Sequence, residues 1–303
     1  MNAFGKRLLS WYASHGRSEL PWRKTRDPYR ILVSECMLQQ TQVERVIPKY
    51  EAFVARFPDV ASLAEASAAD VLREWKGLGY NSRAIRLKRM AEIVCEEFGG
   101  LLPNDPERLR GLPGIGPYTV AALRAFAFDE DDVAMDTNIR RVIHRVLYGI
   151  EYPARVSARE LDARAQATVP AGSGHDWNSA LMDLGATICT ARAPKCLLCP
   201  VASACAAAPI DPSHLEALRA QFAAKRSPQE SIPFEQTTRF ARGRIVDRLR
   251  ELPAGARISL LDLHRDLHAI LPPHALGGME NTLRALERDG IVRRDGESVA
   301  LRD

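Results

Sequence analysis

Four of the six cysteines crowd into 17 residues: Cys189, Cys196, Cys199 and Cys205 form a C-x6-C-x2-C-x5-C run on a turn that carries Pro194 and Pro200. The first twenty residues do not read as a secretory leader, so these thiols are expected to stay reduced rather than pair as disulfides. Thiolates this close in sequence can converge on one metal centre. Tetrahedral zinc and a 4Fe-4S cluster both take four of them, so the donor set alone does not choose. Cys36 and Cys95 stand apart on apolar helix faces, where burial without chemistry is expected.

Two carboxylates stand in settings that push them toward opposite roles. Glu35 lies mid-helix with Ile31, Leu32 and Leu38 at three- and four-residue spacing, and partial burial on that face would raise its pKa and keep it protonated. A solitary glutamate in such a helix also serves as a salt-bridge partner. Asp136, directly before Thr137-Asn138-Ile139, is placed to cap the next helix. Held by backbone N–H groups and the helix dipole, its carboxylate should stay ionised, ready to face a developing cation. The two carboxylates then differ as an acid and a stabilising anion should. Between the two in sequence runs Leu112-Pro113-Gly114-Ile115-Gly116-Pro117-Tyr118-Thr119. Its paired glycines allow close backbone approach and Pro117 opens the following helix, a phosphate-binding arrangement. Arg140, Arg141 and Arg145 follow Asp136 on its helix, as a phosphate-facing patch or a solvated face.

The elements that must position these groups are helical. Apolar spacing predicts a helix from Asp27-Pro28 to about Val46, stopped by Pro48, and further helices at about 50–56, 61–75, 82–98, 106–111, 117–128, 137–148, 157–168 and 176–188. Strand signals are almost absent before residue 225, so the first two hundred residues read as all-α. Residues 224–238, with two prolines, read as a linker. Helical stretches follow at about 239–251, 259–269 and 277–289. Ile291–Arg294 and Ser298–Leu301 then flank Asp295-Gly296 as a short hairpin, the outline of a winged-helix module or of a helical appendage covering the core. The length of 303 residues suits two or three domains, and 46% hydrophobic with 26% charged residues excludes a disordered or disulfide-scaffold chain. The net charge of +4 mildly favours a polyanionic partner. Arg contributes 35 of the 42 basic residues, which suits phosphate recognition and equally a G+C-rich genome. No apolar run approaches a membrane span, and a soluble cytoplasmic protein is expected.

The string Val33-Ser34-Glu35-Cys36-Met37-Leu38-Gln39-Gln40-Thr41-Gln42-Val43 resembles the signature of the adenine DNA glycosylases, the MutY branch of the endonuclease III superfamily, which remove adenine mispaired with 8-oxoguanine. The resemblance covers roughly residues 10 to 210. It runs through Leu20-Pro21-Trp22-Arg23, Gly77-Leu78-Gly79-Tyr80, the L-P-G-I-G-x-Y-T hairpin, Asp136-Thr137-Asn138 and the cysteine loop, whose spacing matches the family's cluster loop. It implies an all-α helix-hairpin-helix glycosylase fold. A six-helix barrel would occupy 27–139, an iron-sulfur module 1–26 and 140–223, and a small winged-helix-like α+β domain 239–303 beyond the linker. It further implies a 4Fe-4S cluster on Cys189, Cys196, Cys199 and Cys205, and a monomer acting on duplex DNA that holds a mismatch or an oxidised guanine.

By matching motif, Glu35 would protonate the adenine and later activate water, Asp136 would stabilise the oxocarbenium ion, and Tyr118 and Asn138 would shape the reaction centre. Tyr80 and Gln40 would wedge into the duplex, with Thr41, Gly114 and Gly116 also at the DNA, while Trp22, Arg23 and Val43 would line the base pocket. Flipping the base out of the stack explains the need for both wedge and pocket. The related bifunctional enzymes attack with a lysine after the hairpin. This chain has none between Arg89 and Pro194, and Tyr118 takes that place, so a monofunctional enzyme is expected. Many members carry a Nudix-like C-terminal domain, for which 239–303 is too short and too helical. Asn81, Thr137 and Ser179 also depart from the common pattern. Thymine or uracil opposite guanine is therefore a second reading, and a cluster-bearing, non-catalytic DNA-binding regulator a third, though binding alone needs neither Glu35 nor Asp136.

Overall fold

The computed structural model describes residues 3–224 and 232–303. Residues 225–231 of the expected linker lie outside the described residues. The chain forms two compact units, one of residues 1–32, 104–111 and 115–229, the other of 33–103, 112–114 and 230–303. Among the described residues no helix is long and apolar enough to cross a membrane.

The first unit is all-helical. Ala3–His15, Thr137–Tyr148, Ala158–Gln166 and Gly174–Thr187 pack around Phe4, Leu8, Ile139, Val142, Ile143, Trp177, Leu181 and Leu184. Phe4 meets Trp177 edge-on at 5.4 Å between ring centroids. Two of these helices touch almost at the backbone, because a Cβ on Gly185 would lie 2.7 Å from the Asn138 Cβ. Pro106–Gly111 and Pro117–Ala127 form the helical pair around the glycine hairpin, and the second of them also packs on Gly174–Thr187.

The second unit combines Val43–Arg56, Val60–Glu65, Ala68–Glu74 and Ser82–Phe98 with the C-terminal module. Phe53 meets Phe57 and Trp75 edge-to-face within its core, with centroids 5.0 Å and 5.8 Å apart. In the module, helices Thr238–Arg250, Leu260–Leu267, Pro273–Gly277 and Met279–Arg288 pack with an antiparallel sheet. The expected hairpin is Val292–Asp295 with Ser298–Leu301, and a short strand, Ile258–Ser259, adds to the other edge of Ser298–Leu301. The winged-helix outline is thus realised as α+β, with one short strand, directly before the helix expected from about 259, that the sequence patterning did not signal. A further helix, Pro212–Ala224, carried no recognised signal.

The expected helix 28–46 is in fact two. Pro28–Leu38 ends early, the chain turns at Gln40 with φ +57°, and Val43–Arg56 continues through Pro48. The break has a cause far away in sequence. Arg83, only 8% exposed, donates through Nη1 to the carbonyl oxygens of Cys36 (2.7 Å), Met37 (3.1 Å) and Gln39 (2.6 Å). A helix continuing past Leu38 needs those acceptors for its own N–H groups. Pro48 does not stop the second helix because its ring lies on the exposed side, while Val46, Tyr50 and Phe53 are buried on the other. Burial of that face outweighs the one lost backbone bond. The expected helix 61–75 likewise divides, into Val60–Glu65 and Ala68–Glu74, because Ser67 caps the second piece through the Asp70 N–H.

Replacing Arg83 with Met should cost about 3 kcal/mol, since several buried carbonyls lose their donor together. Urea unfolding of the variant checks this, and a midpoint equal to the parent's would refute the clamp.

Candidate functional site

Glu35 sits on the last turns of Pro28–Leu38 and is 6% exposed; of its expected neighbours, Ile31 and Leu32 are nearly inaccessible and Leu38 is half-buried. The apolar setting expected for it is present. Burial, and then the neighbouring Glu35 charge, push the thiol of Cys36 up to about 12, so Cys36 is inert as expected. Beyond the helix, Gln40 is exposed and Thr41 and Val43 half-buried.

Gln40 does not stand alone. The Tyr80 hydroxyl donates to the Gln40 Oε1, and Tyr80 also has positive φ, +46°. Non-glycine residues in that region are strained and persist where the surroundings hold them. Arg83 supplies the hold: its Nη2 donates to the carbonyls of Leu78 (3.0 Å) and Gly79 (3.2 Å) and to Thr41 Oγ1 (3.3 Å). Gly77 and Gly79, with φ of +93° and +70°, allow the turn that presents Tyr80. Sequence reasoning missed Arg83. Its signal was a charged residue four before Leu87 on a stripe otherwise made of Ala84, Leu87, Met90, Ala91 and Val94.

In the hairpin, Gly114 has φ +83°, and a Cβ there would lie 3.2 Å from the Arg86 Cβ, so both conformation and space call for glycine. The helix Pro117–Ala127 opens at Gly116, which has no side chain to cap it, and at Pro117, which has no N–H. Half-buried Tyr118 lines a cavity of about 260 Å³ with Pro117, Val133, Met135, Arg140, Asp162 and Gln166.

Asp136 is the N-cap expected of it: Oδ1 accepts from the Ile139 N–H at 2.6 Å, and Oδ2 accepts from Asn138 Nδ2 at 2.9 Å. Burial raises the pKa of the carboxyl, and the hydrogen bonds from Ile139 and Asn138 only partly offset it. The approach loop is held by Asn178, which is fully buried, accepts from the Ala134 N–H and donates to the Asp132 and Gly174 carbonyls.

Of the three arginines after Asp136, Arg141 and Arg145 turn inward, while Arg140 stays largely at the surface. Arg141 donates to Asn138 Oδ1 (2.9 Å) and to the carbonyls of Cys189 (2.8 Å) and Gly185 (2.7 Å). Arg145 is fully buried, paired with Glu151 at 2.7 Å, and donates to the Thr190 carbonyl at 2.8 Å. Arg140 pairs with Asp162. Trp22 is buried. The Arg23 guanidinium donates to the Tyr12 hydroxyl at 2.9 Å and pairs, with Arg17, to Asp183. Asp183, completely buried, was also missed. It stands between Leu181 and Leu184 on an apolar helix, a position where a carboxylate needs partners.

The cysteine loop tests the metal reading. Cys189, Cys196, Cys199 and Cys205 are free and half-buried, and burial with the other three cysteines around it pushes Cys199 up to about 11. Arg145 donates to Cys189 Sγ and the Ile210 N–H to Cys196 Sγ, both at 3.5 Å, contacts that stabilise bound thiolate. Among the described residues no three His, Cys, Asp or Glu side chains close on a single ion position. Cys189, Cys205 and Cys196 lie near enough to Cys199 to raise its pKa, and four thiols gathered in this way suit a four-thiolate metal centre.

The fold agrees with direct comparison. Residues 33–164 match the model of HhH-GPD superfamily base excision DNA repair proteins. The adenine DNA glycosylase of Mycolicibacterium smegmatis is 39% identical over 257 residues, 84% of this chain and 83% of that protein. That of Mycobacterium tuberculosis is 42% identical over 196 residues, 64% of each chain. The solved structure of a thermostable thymine-DNA glycosylase aligns with a TM-score of 0.62 at 33% identity, covering 67% of this chain and 93% of that one. The chain belongs to the adenine DNA glycosylase family within that superfamily.

Because the Asp136 pKa is raised in the fold, ionising it costs stability. Relative to Asp136→Asn, which preserves the cap, the parent should lose stability as pH rises from the ordinary carboxylate range through the raised value. Urea titrations of both proteins from about pH 3 to 8 measure this, and parallel profiles would show that burial does not dominate.

Proposed function

We propose that the protein is a monofunctional DNA glycosylase that hydrolyses the N-glycosidic bond of adenine mispaired with 8-oxoguanine or guanine in duplex DNA. The observation that carries the reading is a buried acid, Glu35, and a helix-capping carboxylate, Asp136, both present in a chain 39% identical over most of its length to an adenine DNA glycosylase.

Glu35 donates its proton to the adenine ring, the C1′–N bond breaks with its electron pair leaving on the base, and the sugar becomes an oxocarbenium ion. The Asp136 carboxylate, oriented by Ile139 N–H and Asn138, stabilises that cation. Glu35, now ionised, takes a proton from the water that adds to C1′, leaving an abasic site and the acid restored. Tyr118, next to the hairpin, shapes the reaction centre, and Trp22, Arg23 and Val43 border the base. Gln40, Tyr80 and Thr41, with Gly114 and Gly116 of the hairpin, engage the DNA. Cys189, Cys196, Cys199 and Cys205 would hold a 4Fe-4S cluster, which when bound would tie the loop that Arg141 and Arg145 brace. Glycosidic hydrolysis moves no electrons, so the loop's part is structural and DNA-positioning.

Single-turnover excision, followed by alkaline cleavage, should release adenine opposite 8-oxoguanine and opposite guanine, with no borohydride-trapped adduct. Release of only thymine or uracil opposite guanine would overturn the adenine reading. Glu35→Gln should lower the rate by about a thousandfold or more while leaving duplex affinity within a few-fold. Cys199→Ser should reduce soluble yield and bound iron before it alters the chemical step, and a variant with full iron content and yield would remove Cys199 from the ligand set.

A further inference from the structure

The C-terminal module is not a basic DNA-binding domain in the usual sense, because residues 230–303 carry twelve arginines and twelve carboxylates. Helix Thr238–Arg250 shows how this balance is distributed. Arg242 pairs with Asp289, Arg244 with Asp247, Arg248 with Asp266 and Arg250 with Asp247. Arg239 has no carboxylate partner among the described residues. Instead its guanidinium, exposed, lies over the Tyr80 ring at 4.2 Å from the centroid and over Phe234 at 5.5 Å.

That position is fixed by burial elsewhere. Arg250, 9% exposed, donates to the Leu72 carbonyl (2.8 Å) and to Asn81 Oδ1 (2.7 Å), so the module is bonded to the turn bearing Tyr80. Arg83 also faces the Tyr80 ring, at 5.4 Å. Two guanidiniums therefore flank one tyrosine with no carboxylate paired to either of them among the described residues, and burial first, then the Arg239 charge, lower the Arg83 pKa. Like charges gathered without a counter-ion at an exposed, strained rim are stabilised when an anion arrives.

We propose that Arg239 is a DNA-binding residue contributed by the C-terminal module, which offers its guanidinium to a backbone phosphate of the duplex beside the Tyr80–Gln40 rim. The partner follows from the proposed function, on which this inference rests. Stacking on Tyr80 pre-orders the guanidinium and leaves its N–H edges free for bidentate phosphate contact. The module's small net charge fits such a role: one aimed cation rather than a basic face.

Salt-dependent binding separates a phosphate contact from a purely structural one. The probe is a duplex with an abasic analogue, tetrahydrofuran, opposite 8-oxoguanine, which cannot be cleaved, read by fluorescence anisotropy across a salt series. Arg239→Ala should weaken binding about fivefold at low salt and reduce the slope of log K against log salt by about one, as for one lost phosphate contact. Arg239→Lys keeps the charge and should keep the slope. Arg284→Ala, whose partner is Glu280, serves as the control with the parent slope. Parent affinity and slope in Arg239→Ala would overturn the proposal, as would equal weakening in the Ala and Lys variants at an unchanged slope. Arg239 is exposed, so thermal melts of both variants should match the parent. A parent that binds the probe but releases no adenine from mismatched duplex would count against the enzymatic reading alone.

Discussion

One buried cation organises the unit that carries Glu35. Arg83 has no ion pair among the described residues. Its charge is met by backbone carbonyls: those at the end of Pro28–Leu38 and those of the turn before Ser82–Phe98. Carbonyls at a helix C-terminus carry partial negative charge and lack intrahelical donors, so a guanidinium there satisfies them and is stabilised in return. By the same contacts it ends the helix just beyond Glu35 and places Gln40, Thr41 and Tyr80 side by side. An acid on a rigid helix and two polar groups on a strained rim are consequences of that single donor.

The other unit solves a similar problem around Asp136. Its carboxylate is stabilised by a capped helix end and by Asn138, yet burial leaves the proton held more tightly than in an ordinary aspartate. Asn138 is itself held by Arg141, and Arg141 reaches the Cys189 carbonyl. The cysteine loop and the carboxylate are thus joined by a short chain of hydrogen bonds, and the absence of a side chain on Gly185 lets the two helices approach closely enough for it. Arg145, wholly buried and paired with Glu151, anchors the same loop from the next turn.

The C-terminal module shows how a domain with balanced charge can still serve an electrostatic purpose. Its salt bridges are mostly internal, and exposed pairs of that kind contribute little individually. What distinguishes the module is where two of its guanidiniums go: Arg250 into buried contact with Leu72 and Asn81, and Arg239 onto the ring of Tyr80.

Local chemistry was legible wherever a residue's own neighbours in sequence decide its state. The hairpin glycines, the Asp136 cap, the cysteine run, helix Ser82–Phe98 and the C-terminal hairpin all follow from spacing, capping and turn rules that act within a few residues. The resemblance to adenine DNA glycosylases rested on such strings, and comparison upheld it. What sequence reading missed depended on partners far along the chain. The break after Leu38 is made by Arg83, the inward turn of Arg141 and Arg145 by the cysteine loop, and the raised Asp136 pKa by packing around the cap rather than by the cap itself. Periodicity assigns a face to a residue but not the identity of the atoms across from it, and hydrogen-bond donors and low dielectric act only at contact distance. Sequence alone therefore determined which groups are available for chemistry, while the tertiary structure decided which are paired, which are strained and which still face outward.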